Sequence, residues 1–143
     1  MELSNLEQAI NRSHQAVDAF VTGDPTPLGM LYSRRDDSTL ANPFGPPARG
    51  WKNIAETMDR AAAGFREGEA IGFDRISQVS TSDLGYVVEI ERFRSKLGGA
   101  DEFTEFALRV TTILRLEEGD WKIVHRHADP ITTPRSAESL SSA

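Results

Sequence analysis

The chain of 143 residues is 38% hydrophobic and 27% charged, the balance of one ordinary globular domain with a single core. With no cysteine it has neither disulfides nor thiolate chemistry, which suits a reducing, cytoplasmic compartment. A net charge of −6 with 16 scattered Lys and Arg argues against a nucleic-acid partner, and an acidic Glu2 with no membrane-length apolar run argues against a secretory signal or a membrane span.

Ser4 and Glu7 have capping-box spacing, and Leu6, Ile10, Val17 and Val21 recur at helical intervals. Together they predict a first helix from Asn5 to Thr22, ended by Gly23. Asp24-Pro25-Thr26-Pro27 predicts a second, short helix through Leu28, Leu31 and Tyr32, with Thr26 as N-cap and Pro27 at the first helical position. Ser38 to Ala41 reads as a short strand. Asn42-Pro43-Phe44-Gly45-Pro46-Pro47 reads as a shaped loop, because prolines cannot donate to a ladder and restrict the residue before them. Trp51, Ile54, Met58, Ala61, Ala62 and Phe65 form one apolar stripe, predicting a third helix bracketed by Gly64 and Gly68. From Glu69 onward the period becomes two, with turns at 82–85, 97–101 and 117–120, which predicts four long strands in a meander. Residues 1–131 form the expected single domain, and the Ser/Thr-rich residues 132–143 a flexible tail.

Alternation separates Tyr86, Val88, Ile90 and Arg92 from Val87, Glu89, Glu91 and Phe93. It likewise separates Leu108, Val110, Thr112, Leu114 and Leu116 from Arg109, Thr111, Ile113 and Arg115, and Val124, Arg126 and Ala128 from Trp121, Ile123, His125, His127 and Asp129. The more apolar set in each strand is expected to meet the helices. Ile90, Arg92, Thr112 and Arg126 then line a pocket with Met58 of the third helix, and Asn42, Phe44 and Trp51 wall its mouth. Two arginines on a core face imply either paired structural carboxylates or an anionic ligand. The opposite, mixed face with Glu89, Glu91, Arg109 and His125 is the expected homodimer interface. His125 and His127 point the same way and read either as a metal-ligating pair or as a hydrogen-bond network; the network is preferred, and no metal or cofactor is expected. His127 and His14 are the candidate general bases, since histidine has the ordinary pKa suited to that work at neutral pH; for His14 the alternative is a half-exposed structural histidine.

The helix order, the Asn42-Pro43-Phe44-Gly45 loop and the Trp121-Lys122-Ile123-Val124-His125-Arg126-His127-Ala128-Asp129-Pro130 run resemble the SnoaL-like and ketosteroid-isomerase-like families, over about Leu3 to Pro130. The resemblance implies an α+β fold of the nuclear transport factor two-like, or cystatin-like, kind: a cone-shaped curved antiparallel sheet packed on three N-terminal helices around a pocket. It also implies, where such proteins are enzymes, isomerase, dehydratase or cyclase chemistry without a cofactor. The chain departs from the catalytic patterns of these families. The general-base aspartate of ketosteroid isomerases aligns with Asn42, which cannot usefully accept a proton, and their oxyanion-hole residues align with Ala16 and Thr112. The His-x-Asp pair of SnoaL-like cyclases falls near Arg126 and Ala128. The expectation is a protein that binds a small organic molecule, anionic if the core arginines are its partners, with weak isomerase, lyase or cyclase activity where it acts at all. A non-catalytic dimerisation or ligand-sensing module is the alternative.

Overall fold

A computed structural model describes residues 4–142 of the chain; Met1 to Leu3, where the acidic start lies, and Ala143 of the tail fall outside the described residues. Helix α1 (Asn5–Phe20) is capped by Ser4, whose Oγ accepts the Glu7 N–H at 3.1 Å. The Glu7 carboxylate turns to Arg75 at 3.3 Å, pinning the start of the helix to the sheet. Leu6, Ala9, Ile10, Ser13, Ala16 and Val17 make its buried stripe. Helix α2 (Thr26–Leu31) begins one residue earlier than expected: Pro25 occupies the cap position, and Asp24 Oδ1 accepts the Thr26 N–H at 3.0 Å. Helix α3 (Trp51–Ala62) buries Ile54, Met58, Ala61 and Ala62. Among the described residues no helix is long and apolar enough to cross a membrane.

The sheet has six strands: β1 (Thr39–Ala41), β2 (Ala48–Arg49), β3 (Phe65–Ser80), β4 (Leu84–Leu97), β5 (Phe103–Glu117) and β6 (Asp120–Asp129), in the order β2-β1-β6-β5-β4-β3. Pairing is antiparallel except between β1 and β6, where Thr39, Leu40 and Ala41 run parallel to His125, Arg126 and His127. The sheet is therefore mixed rather than purely antiparallel, and it curves without closing, the α+β cone that the resemblance implies. Curvature comes from three register shifts in β3, each of which inserts backbone on one strand and increases local bending. Phe65 opens β3 instead of ending α3, and Gly68 is not a helix stop. It is the point where β3 passes against the end of α1, since a Cβ there would overlap the Val21 carbonyl oxygen and Ser95 Oγ. The proline loop returns as β2, pairing with β1 through Ala48 and Arg49. Ala137–Ser142 forms a 3₁₀ helix in the expected tail, exposed over residues 137–141.

In β4 the two faces are the reverse of the expectation. Val87, Glu89, Glu91 and Phe93 are buried beneath the helices, while Tyr86, Val88, Ile90 and Arg92 face outward. Alternation identifies two sets without saying which one is covered, and the summed hydrophobicity misleads because both glutamates arrive with partners that satisfy their charge. In β5 the expected face holds for Val110, Thr112 and Leu114, which are buried, but Leu116 near the strand end is exposed. In β6 a bulge leaves Val124 without a register partner, so Ile123 and Val124 are both buried before Arg126 and Ala128 continue on the core side.

Candidate ligand-binding site

A cavity of about 870 Å³ opens at the wide end of the cone, between the proline loop, one side of α3, the start of β3 and the β4–β5 turn. Its floor and walls are aromatic and proline-rich. Phe65 lies at the centre, with Phe44 at 6.0 Å and Phe106 at 5.9 Å between ring centroids, and Phe106 stacks on Phe93 at 5.4 Å. Phe44 is 64% exposed, held there by a loop that three prolines stiffen. Behind this mouth lies an inner hollow of about 60 Å³ walled by Val17, Val21, Met58 and Phe93, and its one charged lining residue is Arg126. Asn42, Pro43, Phe44, Ala61, Phe65, Phe106 and Leu108 border both spaces, so the hollow is an extension of the mouth.

Asn42 stands at this junction. Its Oδ1 accepts the Phe44 N–H at 3.0 Å, closing a tight side-chain turn, and its amide N–H groups remain as donors. The polar side of α3 borders the mouth with Asn53, Glu56, Thr57 and Arg60, and Arg49 of β2 joins them. No histidine lines either space.

The charged groups of the core face are already committed to one another. Arg126 forms a two-pronged pair with Glu91 at 2.9 and 2.7 Å, and both side chains are buried. Burial alone would lower the guanidinium pKa, but the adjacent Glu91 reverses this and holds Arg126 charged. Tyr32, buried beside Arg126, donates to the Thr39 carbonyl at 2.7 Å, and burial pushes its phenol pKa well up. Glu89 meets His14 Nε2 at 2.9 Å and Arg75 at 3.4 Å. Burial works to raise its carboxyl pKa, but those two partners hold it below the usual carboxylate range. His14 also stacks on Phe73 at 3.8 Å, interplanar angle 10°, a side chain wedged between α1 and the sheet.

The expected site residues therefore divide. Asn42 and Phe44 border the mouth and the inner hollow, and Met58 and Arg126 line the hollow. Trp51 lies instead under the Arg34 guanidinium, 3.4 Å from its ring centroid, where it locks α2 to α3. Thr112 is buried without reaching either space. Ile90 and Arg92 are on the outer face, Arg92 paired with Asp74 at 2.8 Å, because the faces of β4 are reversed. His127 is on the outer face too, against Asp129 at 2.9 Å, and His14 belongs to the Glu89 network. Glu89 and Glu91, expected on the outer face, are inside; Arg109 and His125 remain outside, bonded to Asp129 at 2.8 Å and to Thr39 at 2.7 Å. Among the described residues no group of three or more His, Asp or Glu is placed to hold a metal ion. Sequence reasoning missed Phe65, Phe106 and Arg60; the signal available was the aromatic series Phe65, Phe93 and Phe106 beside the Gly64 and Gly98 turns.

A curved sheet packs on three helices, with a cavity lined by aromatic, proline and polar side chains. The SnoaL-like domain model matches residues 7–132, and the chain belongs to that family. Solved structures agree on the fold. A nuclear transport factor 2-like superfamily protein from Salmonella enterica serovar Typhimurium aligns with TM-score 0.74 at 18% identity, covering 92% of each chain. A putative dehydratase of the same fold family from Streptomyces avermitilis aligns with TM-score 0.72 at 17% identity, covering 90% of this chain and 95% of its own. A ketosteroid isomerase-like protein from Erwinia carotovora atroseptica gives TM-score 0.72 at 19% identity, covering 89% and 94%. Identities this low carry the fold alone, and no curated protein matches the chain.

Proposed function

We propose that the protein binds a small, ring-bearing organic molecule in the mouth cavity, with Asn42 as the hydrogen-bond donor at its inner end. The observation that carries this reading is the cavity itself: about 870 Å³, the size range of small-molecule sites, with the aromatic side chain of Phe44 64% exposed on its wall. An exposed phenylalanine held by a stiff loop costs solvation that a bound apolar ligand would recover. Binding without turnover is favoured over catalysis because neither space is lined by an imidazole, and the carboxylate that borders the mouth, Glu56, is exposed. A cytoplasmic setting suits a chain without cysteine.

The test is calorimetric titration with a panel of bicyclic aromatic compounds. Thr57→Phe, which places a ring in the mouth from the half-buried side of α3, is expected to abolish binding without unfolding the protein. Asn42→Asp keeps the oxygen that accepts the Phe44 N–H but removes the amide donors, and is expected to weaken acceptor-bearing ligands about tenfold. Unchanged affinity in Thr57→Phe would place binding elsewhere.

A second reading, a homodimerisation module, is favoured by the outer face of the sheet. Tyr86 and Val79 are at least a third exposed there, beside Val88, Ile90 and Ile113. The two readings are compatible, since the mouth and this face lie on opposite sides of the sheet.

A further inference from the structure

We infer that the natural ligand is an organic monoanion, an aromatic or otherwise apolar body bearing a carboxylate, whose head group is held at the rim by Arg49 and Arg60. The inference rests on the proposed mouth-cavity binding and adds the ligand's charge and the residues that read it.

The cations paired with the core carboxylates cannot serve such a ligand. Arg126 spends both terminal nitrogens on Glu91, and Arg75 is divided between Glu89 and Glu7. Freeing Arg126 would strand the buried Glu91, which costs more than a ligand carboxylate would return, and Arg75 lines neither space. The two arginines that line the mouth differ from these. Arg49 uses its Nε on the Asp36 carbonyl at 3.0 Å, and Arg60 makes one long contact, 3.4 Å, to Thr57 Oγ1. Neither has an ion-pair partner among the described residues, although Glu56 also lines the mouth one helical turn from Arg60. Position in the last turn of α3, where a cation suits the helix dipole, accounts for Arg60 but not for Arg49 on a separate element.

The cavity lining is thus of two kinds. Phe44, Phe65 and Phe106 contribute aromatic rings to its lining, and Thr57 with the two guanidinium groups contributes donors. Two arginines against Glu56 leave a single net positive charge at the rim, which matches one carboxylate rather than a doubly charged phosphate ester. The molecule as a whole carries −6, so long-range attraction does not deliver the anion, and recognition must come from these contacts.

The experiment titrates the intact protein with three probes that share one ring system: naphthalene-2-carboxylate, naphthalene-2-carboxamide and 2-naphthyl phosphate. The carboxylate is expected to bind about tenfold tighter than the carboxamide at low salt, with the phosphate no better than the carboxylate and the preference shrinking at high salt. Arg49→Gln and Arg60→Gln should each cut carboxylate affinity about threefold, and the double variant should erase the preference, lowering carboxylate affinity far more than carboxamide affinity. Equal binding of carboxylate and carboxamide by the wild type, or a preference that survives the double variant, overturns the anion inference and leaves the pocket reading standing. A phosphate preference overturns the monoanion assignment. Failure of all three probes to bind removes both readings.

Discussion

Glu91 and Arg126 meet across two strands in a site where each would be prohibitive alone. Replacing one member leaves its partner charged and buried, so Arg126→Met is expected to cost about 3–5 kcal/mol in urea denaturation. The double replacement Glu91→Leu with Arg126→Met should recover most of that loss, because well-packed apolar side chains often substitute for a buried ion pair at no net cost. A double variant as unstable as the single one would mean the pair fixes the inner hollow in a way packing cannot copy. His125 gives a second prediction at this scale. Burial, and then the neighbouring His127, hold its pKa below the ordinary histidine value of about 6.5. The unfolded chain therefore takes up this proton first on acidification. Stability contributed by neutral His125 is present above the ordinary value and is lost as pH falls through it toward the lowered folded value. His125→Gln should flatten the stability profile in that window; an unchanged slope would assign the effect to another group.

At the level of elements, β3 and the end of α1 are fitted by contact rather than by propensity. Gly68→Ala would drive a Cβ into the Val21 carbonyl and Ser95 Oγ, and is expected to destabilise by about 1–3 kcal/mol or more, measurable as a lowered Tm. A neutral outcome would mean that α1 can slide along the sheet. The helices were legible because their signals are local: the Ser4 cap, the stripe Leu6, Ile10 and Val17, and the stripe Ile54, Met58 and Ala61 each lie within a few turns of chain. The long strands were legible from their period. Which face of β4 is covered was not, since that depends on His14, Arg75 and Arg126, all distant in sequence, neutralising Glu89 and Glu91. For the same reason Ile90 and Arg92 lie away from the cavity, whereas Asn42 and Phe44, placed by the loop's own prolines, border it.

For the whole molecule, the reversed face of β4 changes what the outside of the sheet offers. With Glu89 and Glu91 inside, the outer surface of β4 runs from Tyr86, Val88 and Ile90 to Arg92, and it continues onto Ile113 and Thr111 of β5 and His125 of β6. Its apolar part is flanked by the Arg109–Asp129–His127 cluster on one side and the Arg92–Asp74 pair on the other. An apolar centre with a polar, ion-paired border is the composition of an isologous interface, and a stable one would cover about 800 Å² on each copy. The proposed homodimer would therefore have Arg109 and His125 on its face together with Val88 and Ile90, and not the two glutamates. Val88→Lys is the direct trial. The side chain is half-exposed and outward, so a lysine there should leave the monomer folded, with stability within about 0.5 kcal/mol, while placing two like charges near each other across a twofold axis. Sedimentation velocity of the wild type is expected to give a dimer at micromolar concentration and of Val88→Lys a monomer. Ligand affinity at the mouth should be the same in both, because the mouth opens on the other side of the sheet and none of its lining residues belongs to this face. A wild type that sediments as a monomer at every concentration would remove the dimer while leaving the cavity and its ligand untouched.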